Sequence, residues 1–348
     1  GAMCAAIDGA RHTVGLSSYI FEWDEAGQRI AASLAAAVAR GVTVRVLIDA
    51  AGARYSSESP VEHLKGRGVP TALFLPVRAP WRWPVMHLRN HRKLLVVDGR
   101  IGFTGGMNIR AGHLPTATGP DAIVDLHVRL EGPVVSHLTQ VFVEDWLFAT
   151  RERLMRRSWD PPPEVVGNVL ARGIPQGPDE HVQALHSTLV CALACARHSV
   201  QIVTPYYFPD PALLTAFRSA RFRGVEVEVF VPERSNIPVV DWAMEAMLWQ
   251  TLEAGVNVWK TPGPFDHTKL VVVDDAWALV GSANIDPRSL RLNFEFCVEL
   301  YGESAVELGH RIEARRERAR RVTLQEVDAR STGGRIRDGV ARLLSPYL

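Results

Sequence analysis

Two stretches decide the fold: HRKLLVVDGRIGFTGGMNI, from His91 to Ile109, and HTKLVVVDDAWALVGSANI, from His267 to Ile285. His91 and His267, Asp98 and Asp274, and Asn108 and Asn284 are separated by one constant spacing, 176 positions (267 − 91). The repetition extends outward. RHTVGLSSYIF, from Arg11, matches RHSVQIVTPYYF, from Arg197, and GVTVRVLID, from Gly41, matches GVEVEVFVP, from Gly224. Downstream, IVDLHVRL (Ile123 to Leu130) matches NFEFCVEL (Asn293 to Leu300). The chain is therefore two homologous halves, and self-similarity of this kind sets the architecture before any single element does.

Each half reads as strand, helix, strand, then a long connection to a strand pair that carries the motif. VTVRVLID and VEVEVFVP alternate β-branched residues and follow the helical stretches Ile30–Arg40 and Pro211–Arg223. KLLVVD and KLVVVD are short apolar runs ending in an acidic turn, the pattern of strands buried on both faces. This predicts an α/β fold, each half a mixed sheet flanked by helices. The first repeat is expected over residues 4–155, a linker marked by Pro161-Pro162-Pro163 over 156–180, and the second repeat over 181–348. ARRERARR, Ala314 to Arg321, reads as a basic helix. Cys191 and Cys195, four apart in an apolar pattern, read as core, and no cysteine spacing suggests a disulfide or a structural metal. The stretch holding Trp242, Met244, Met247, Leu248 and Trp249 reads as a helix that is either core or a lipid-contact face.

The chain has 348 residues, with 39 Lys+Arg against 38 Asp+Glu. That balance argues against a dedicated nucleic-acid binder, which carries a strong basic excess. No apolar run approaches the ~20 residues that span a bilayer.

The doubled motif fits phosphodiester chemistry, which needs a nucleophile, a proton for the leaving oxygen and positive charge around the transition state. Residues two apart in an extended chain share a face, so each His-x-Lys presents both side chains together. Two such segments facing one another would gather His91, Lys93, His267 and Lys269 around one phosphate, one histidine attacking and the other protonating. The lysines, with donors from Asn108 and Asn284, would hold the non-bridging oxygens, so that neither a metal nor another cofactor is called for. Gly105, Gly106 and Gly281 would permit close backbone approach. Each histidine needs a carboxylate to fix its tautomer, and Asp125 and Glu295, at matching places, are the candidates. Asp98 and Asp274 are expected to support the motif turn, not to touch substrate. His113, His127 and the histidines remote from the motifs read as ordinary structural or surface residues. His87, Trp81 and Trp83, just before the first motif, are candidates for the mouth of the site.

The two motif stretches are similar to the paired signatures of the phospholipase D superfamily. SSYIFEWDEAG (from Ser17), TPYYFPD (from Thr204), GSANIDPRSLRLNFE (from Gly281) and the closing LLSPYL resemble bacterial cardiolipin synthases over nearly the whole chain. The resemblance implies two similar domains packed as a pseudo-twofold dimer within one chain, with no metal and a ping-pong mechanism. It further implies transfer of a phosphatidyl group between phosphatidylglycerol molecules, with His91 as nucleophile, His267 as general acid/base, and glycerol released. Tyr206, in TPYYFPD, becomes a candidate lipid contact. A phospholipid partner, no nucleic acid, and peripheral attachment to the cytoplasmic side of a bacterial inner membrane, or an anchor outside this sequence, are the corresponding expectations. Oligomeric state is open. A phospholipase D hydrolase, a metal-independent nuclease and a membrane-binding module with a vestigial site are the competing readings.

Overall fold

A computed structural model of the chain describes residues 1–76 and 88–343. From the N-terminus run α1 (Ala2–Asp8), β1 (Thr13–Ser18), α2 (Glu25–Ala39), β2 (Thr43–Asp49), α3 (Pro60–Gly66), β3 (Thr71–Phe74), β4 (Leu94–Val97), β5 (Ile101–Gly105), β6 (Ile123–Val124), β7 (His127–Glu131) and α4 (Val134–Thr150). After the short α5 (Arg156–Trp159) come β8 (Ala171–Gln176), α6 (Ala184–Cys195), β9 (Ser199–Val203), α7 (Pro211–Phe222), β10 (Glu226–Pro232), α8 (Pro238–Glu253), β11 (Asn257–Thr261) and β12 (Phe265–Asp266). The chain closes with β13 (Leu270–Val273), β14 (Trp277–Gly281), β15 (Glu295–Tyr301), α9 (Glu303–Arg316), β16 (Arg320–Val322), α10 (Leu324–Asp328) and α11 (Thr332–Leu343).

The duplication is visible in the sheets. One has the order β3-β2-β1-β4-β5-β7, and the other repeats it as β11-β10-β9-β13-β14-β15 between two added edge strands, β16 and β8. In both, three parallel strands continue into antiparallel ones. The motif strands are buried on both faces. Leu95 and Val97 of β4 pack on the first half's own core, and Val271 and Val273 of β13 on the second's. Leu94, Val96, Leu270 and Val272 share a third core with α4 and α9, and that core joins the halves.

Local signals explain the elements. Asp24 caps α2 by accepting from the Gly27 N–H, and Asp210 caps α7 by accepting from Leu213, with Pro211 as the first helical residue. Asp98 and Asp274, each at φ +53, turn the motif strands back on themselves. The Asp98 carboxylate accepts from the backbone N–H groups of Arg11, His12 and Thr13 at 2.7–2.9 Å, and Asp274 does the same for Arg197, His198 and Ser199. Each aspartate thus ties the motif turn to the start of its neighbouring strand, β1 or β9.

Some expectations need correction. β8 lies inside the stretch read as linker and pairs along the whole of β15, so the second sheet begins before residue 181. Cys191 and Cys195 are exposed: α6 buries Leu185, Leu189 and Leu193, and this narrow stripe leaves both cysteines on the other side. ARRERARR is not one helix. α9 ends at Arg316 and, after a turn, Arg320 begins β16, which pairs with β11. On α8, Met244, Met247 and Leu248 are core, whereas Trp242 and Trp249 stay on the exposed side, Trp242 beneath the Arg337 guanidinium of α11. His87, Trp81 and Trp83 lie outside the described residues. Among those described, no helix is long and apolar enough to cross a membrane.

Candidate active site

Both His-x-Lys segments lie in extended chain just ahead of β4 and β13. The segments are anchored across the halves: His91 N–H donates to the Phe294 carbonyl (2.8 Å) and His267 N–H to the Val124 carbonyl (2.7 Å). The side chains cross over as well. His91 Nδ1 is 3.0 Å from both Glu295 oxygens, and His267 Nδ1 is 2.8 Å from Asp125 Oδ2. Each histidine is therefore positioned by the other half's carboxylate, an exchange that spacing could not reveal. An ionised carboxylate only accepts, so Nδ1 carries the hydrogen and Nε2 is left with its lone pair.

Both imidazoles line a cavity of about 290 Å³, shared with Tyr19, Tyr206, Asn108 and Asn284. Tyr19 and Tyr206 meet their histidines edge-on, at 5.0 and 6.5 Å between ring centres, although they are not counterparts: Ile20 holds the place of Tyr206, each carbonyl accepting from the hydroxyl two residues back. Burial lowers the His91 pKa to about 4. His267 is held well below its ordinary value by burial and by the charges of Lys269 and Lys93. The unliganded site thus favours neutral rings, and His91 keeps the lone pair that a nucleophile requires.

Lys93 and Lys269 are buried beneath the histidines, each Nζ donating to the carbonyl of the histidine two residues back, at 2.7 and 2.6 Å. Burial, reinforced by mutual repulsion in the case of Lys93 and opposed by the carboxylates, brings Lys93 down to about 7 and Lys269 to about 8. Each ammonium retains two further donors. Asn108 accepts from the Ile20 N–H through Oδ1 (3.2 Å), which leaves its amide NH₂ as a donor. Asn284 differs: it hydrogen-bonds Asp286, and its buried Oδ1 has no hydrogen-bond partner among the described residues.

The halves diverge around the carboxylates. Ser282 Oγ donates to Glu295 Oε2 (2.5 Å) and Asn293 Nδ2 to Oε1 (3.2 Å). Burial alone would raise Glu295, but His91, Lys93 and this hydroxyl hold it below its usual range. Gly106 stands where the second half has Ser282, and a Cβ there would lie 2.2 Å from Asp125 Oδ1. Asp125 instead accepts from the Leu126 N–H (2.8 Å), and burial raises its pKa against the pull of Lys269. His113 stands beside it, Nδ1 4.0 Å from Asp125 Oδ2 and Nε2 accepting from the Asn108 N–H (3.4 Å).

His113, Ser282, Asp286 and the cavity-lining Arg89, Arg110 and Arg288 were not singled out from the sequence. For Asp286, Arg288 and Ser282 a signal existed, since all three fall inside GSANIDPRS; Arg288 opens a single π-helical turn, Arg288–Leu292, a form that gathers at functional sites. His113 had no counterpart to mark it, because Ser289 occupies the matching place.

Two interlocked α/β halves that bring a doubled His-x-Lys motif to one cavity define a phospholipase-D-type enzyme. The family described as "Cardiolipin synthase, PLD-like domain" matches residues 3–146 and 189–315, and the chain belongs to that family. It is 34% identical to the cardiolipin synthase of Geobacillus kaustophilus, over 99% of this chain and 69% of that protein. Identity to cardiolipin synthase 1 of Bacillus anthracis is 31%, again over 99% and 69%. The phosphatidylserine synthase structure of Haemophilus influenzae superposes with a TM-score of 0.75 at 16% identity, covering all of this chain and 92% of that one, and so shares the fold.

Proposed function

We propose that the chain is a phosphatidyltransferase that makes cardiolipin from two phosphatidylglycerol molecules. The observation that carries this reading is the pair of crossed histidine–carboxylate contacts opening onto one cavity, in a chain of this family. His91 Nε2 attacks the phosphorus of the first phosphatidylglycerol, the P–O bond to glycerol breaks, and His267, whose Nε2 takes up a proton when the anionic phosphate binds beside it, passes that proton to the departing glycerol oxygen. The second phosphatidylglycerol then gives its terminal hydroxyl proton back to His267. Its oxygen displaces His91 and forms the new phosphodiester.

The assignment of roles follows from the asymmetry. Glu295, held as a firm anion by Ser282 and Asn293, stabilises positive charge on His91 once phosphorus is attached. Asp125, raised by burial and flanked by His113, suits a histidine whose proton must come and go. Lys93, Lys269 and Asn108 would hold the non-bridging oxygens. A cavity fed by lipid implies attachment to the membrane surface during turnover. Incubation with phosphatidylglycerol vesicles should yield cardiolipin and free glycerol in equal amounts. Phosphatidic acid as the sole lipid product would establish a hydrolase instead.

A further inference from the structure

A second cavity system lies behind the catalytic one, and the two-stranded ladder of β6 and β12 is the wall between them. Ile123 and Phe265 line the catalytic cavity, while Val124 and Asp266, paired within the same ladder, line the far side. There a cavity of about 320 Å³ is bordered by Asp125, Arg311, Arg315 and Arg318. Leu126 and Arg311 also border a longer groove of about 610 Å³, walled by Leu130, Val134, Val169, Leu170, Leu300 and Leu308. Each volume falls in the range of specific small-molecule sites, about 300 to 1,000 Å³.

The groove exists because the pseudosymmetry fails here. In the second half the outer edge of β15 is covered by β8, whose Gly173 N–H donates to His137 of α4 at 3.0 Å. In the first half the matching strand, β7, ends the sheet among the described residues. The space that β8 fills in one half is left beside β7 in the other. It runs beside the chain from Leu126 to Glu131, about 17 Å at strand rise, which matches the ~15 Å of one bilayer leaflet's hydrocarbon. The segment passing over it, VVGNVL from Val165, is markedly exposed: Val165 is 85% and Leu170 68% accessible.

We infer that this groove binds an anionic phospholipid, with an acyl chain along β7 and the phosphate at the arginine end, separate from the lipid undergoing reaction. Two features select that occupant. Apolar walls lead to an end where three arginines gather: Arg315 is held by Asp266 and Thr268 and Arg311 by Glu307 (3.1 Å), whereas the exposed Arg318 guanidinium reaches only the Gly263 carbonyl among the described residues, so that Arg311 and Arg318 retain donors for phosphate. The phosphate would rest against the far side of the wall that carries Asp125, so occupancy bears on the His267 contact. The inference rests on the phospholipid reading of the catalytic cavity.

The test uses the full chain with vesicles doped with phosphatidylglycerol carrying a photoreactive group near its acyl terminus, and a matched phosphatidylcholine probe. After irradiation and digestion, label is expected in peptides covering residues 126–134 and 165–171 as well as in those of the catalytic cavity, several-fold more from the anionic probe. The double variant Arg311→Gln/Arg318→Gln should lose most groove label and keep the cavity label, and Val169→Trp should do the same by filling the groove. Label confined to the catalytic cavity overturns the inference, and equal groove labelling by the neutral probe overturns the anionic assignment. No label and no lipid turnover would instead sink the phospholipid reading itself.

Discussion

Ser282 and Gly106 occupy the same place in the two halves, and the difference between them makes the histidines inequivalent. The Ser282 hydroxyl donates to a fully buried Glu295, a charge-assisted bond worth about 1.5–3 kcal/mol. Ser282→Ala should therefore lower kcat by roughly one to two orders of magnitude, with little change in KM, because the phosphate is bound by other groups. An unchanged kcat would remove Ser282 from the mechanism. The proposed covalent step gives a sharper test. His91→Ala should abolish a phosphatidyl adduct detectable by mass spectrometry of protein quenched in alkali, whereas His267→Ala, with a substrate whose leaving group needs no proton, should accumulate it. The reverse pattern would exchange the roles. The lysines set the pH response. An ammonium with a pKa of about 7 at Lys93 and about 8 at Lys269 is charged below those values and neutral above them. Affinity for an anionic phosphate is thus full at lower pH and is lost as pH rises, so KM should climb between about pH 7 and pH 9, by up to about tenfold per unit for each lysine lost. Initial rates over that range check this, and a flat KM would mean that the lysines do not carry the phosphate.

The residue between histidine and lysine shows how each motif segment is held by its neighbouring elements. In the first half Arg92 is buried and its guanidinium donates to Asp145 of α4 (2.6 Å), and to the carbonyls of Glu295 (3.0 Å) and Gln176 (3.1 Å). In the second half Thr268 takes that place, and Arg315 of α9 reaches Thr268 (3.0 Å) and Asp266 (2.7 Å). Asp145 and Arg315 stand at matching positions of α4 and α9, separated by the same 170 positions as Asp125 and Glu295 (315 − 145). The duplicated halves keep the tie between helix and motif but reverse its polarity. Asp145→Leu would strand a buried guanidinium and should cost about 3–5 kcal/mol, while Arg92→Met/Asp145→Leu should recover much of that. Urea denaturation of the wild type, both single variants and the double variant measures it, and additive losses would mean that the pair does not act as a unit. Strand existence and order were legible at this scale, because KLLVVD and KLVVVD declare two buried faces. β8 was not, since ARGIPQ carries Gly and Pro and is a strand only because β15 offers it an edge. The cysteines of α6 misled for a similar reason: an apolar helix need bury only one stripe.

Across the whole molecule, the shared core and the crossed histidine contacts make one statement: neither half contains a complete site. That the two histidines, the two lysines, the two asparagines and both carboxylates come together was legible in the sequence, because duplication kept them in register. The sequence could not tell which carboxylate serves which histidine, nor reveal His113 or the groove beside β7, because these arise where the halves stop matching or where they meet. The same reasoning predicts the behaviour of a divided protein. Leu94, Val96, Leu270 and Val272 contribute to one apolar core with α4 and α9. The backbone also crosses between halves at His91–Phe294 and His267–Val124. Chains split after Asp160, ahead of β8, keep the six- and eight-stranded sheets entire and divide only the β6–β12 ladder. The two pieces, expressed together, should purify as one complex with activity within a few-fold of the intact chain, and either piece alone should be inactive and prone to aggregate through the bared core. Mixing should also complement across the seam. A first piece with Asp125→Asn, joined to an unaltered second piece, should impair the step assigned to His267 while adduct formation on His91 continues with an activated leaving group. Loss of adduct formation in that hybrid would mean that the carboxylates do not serve the histidines they touch.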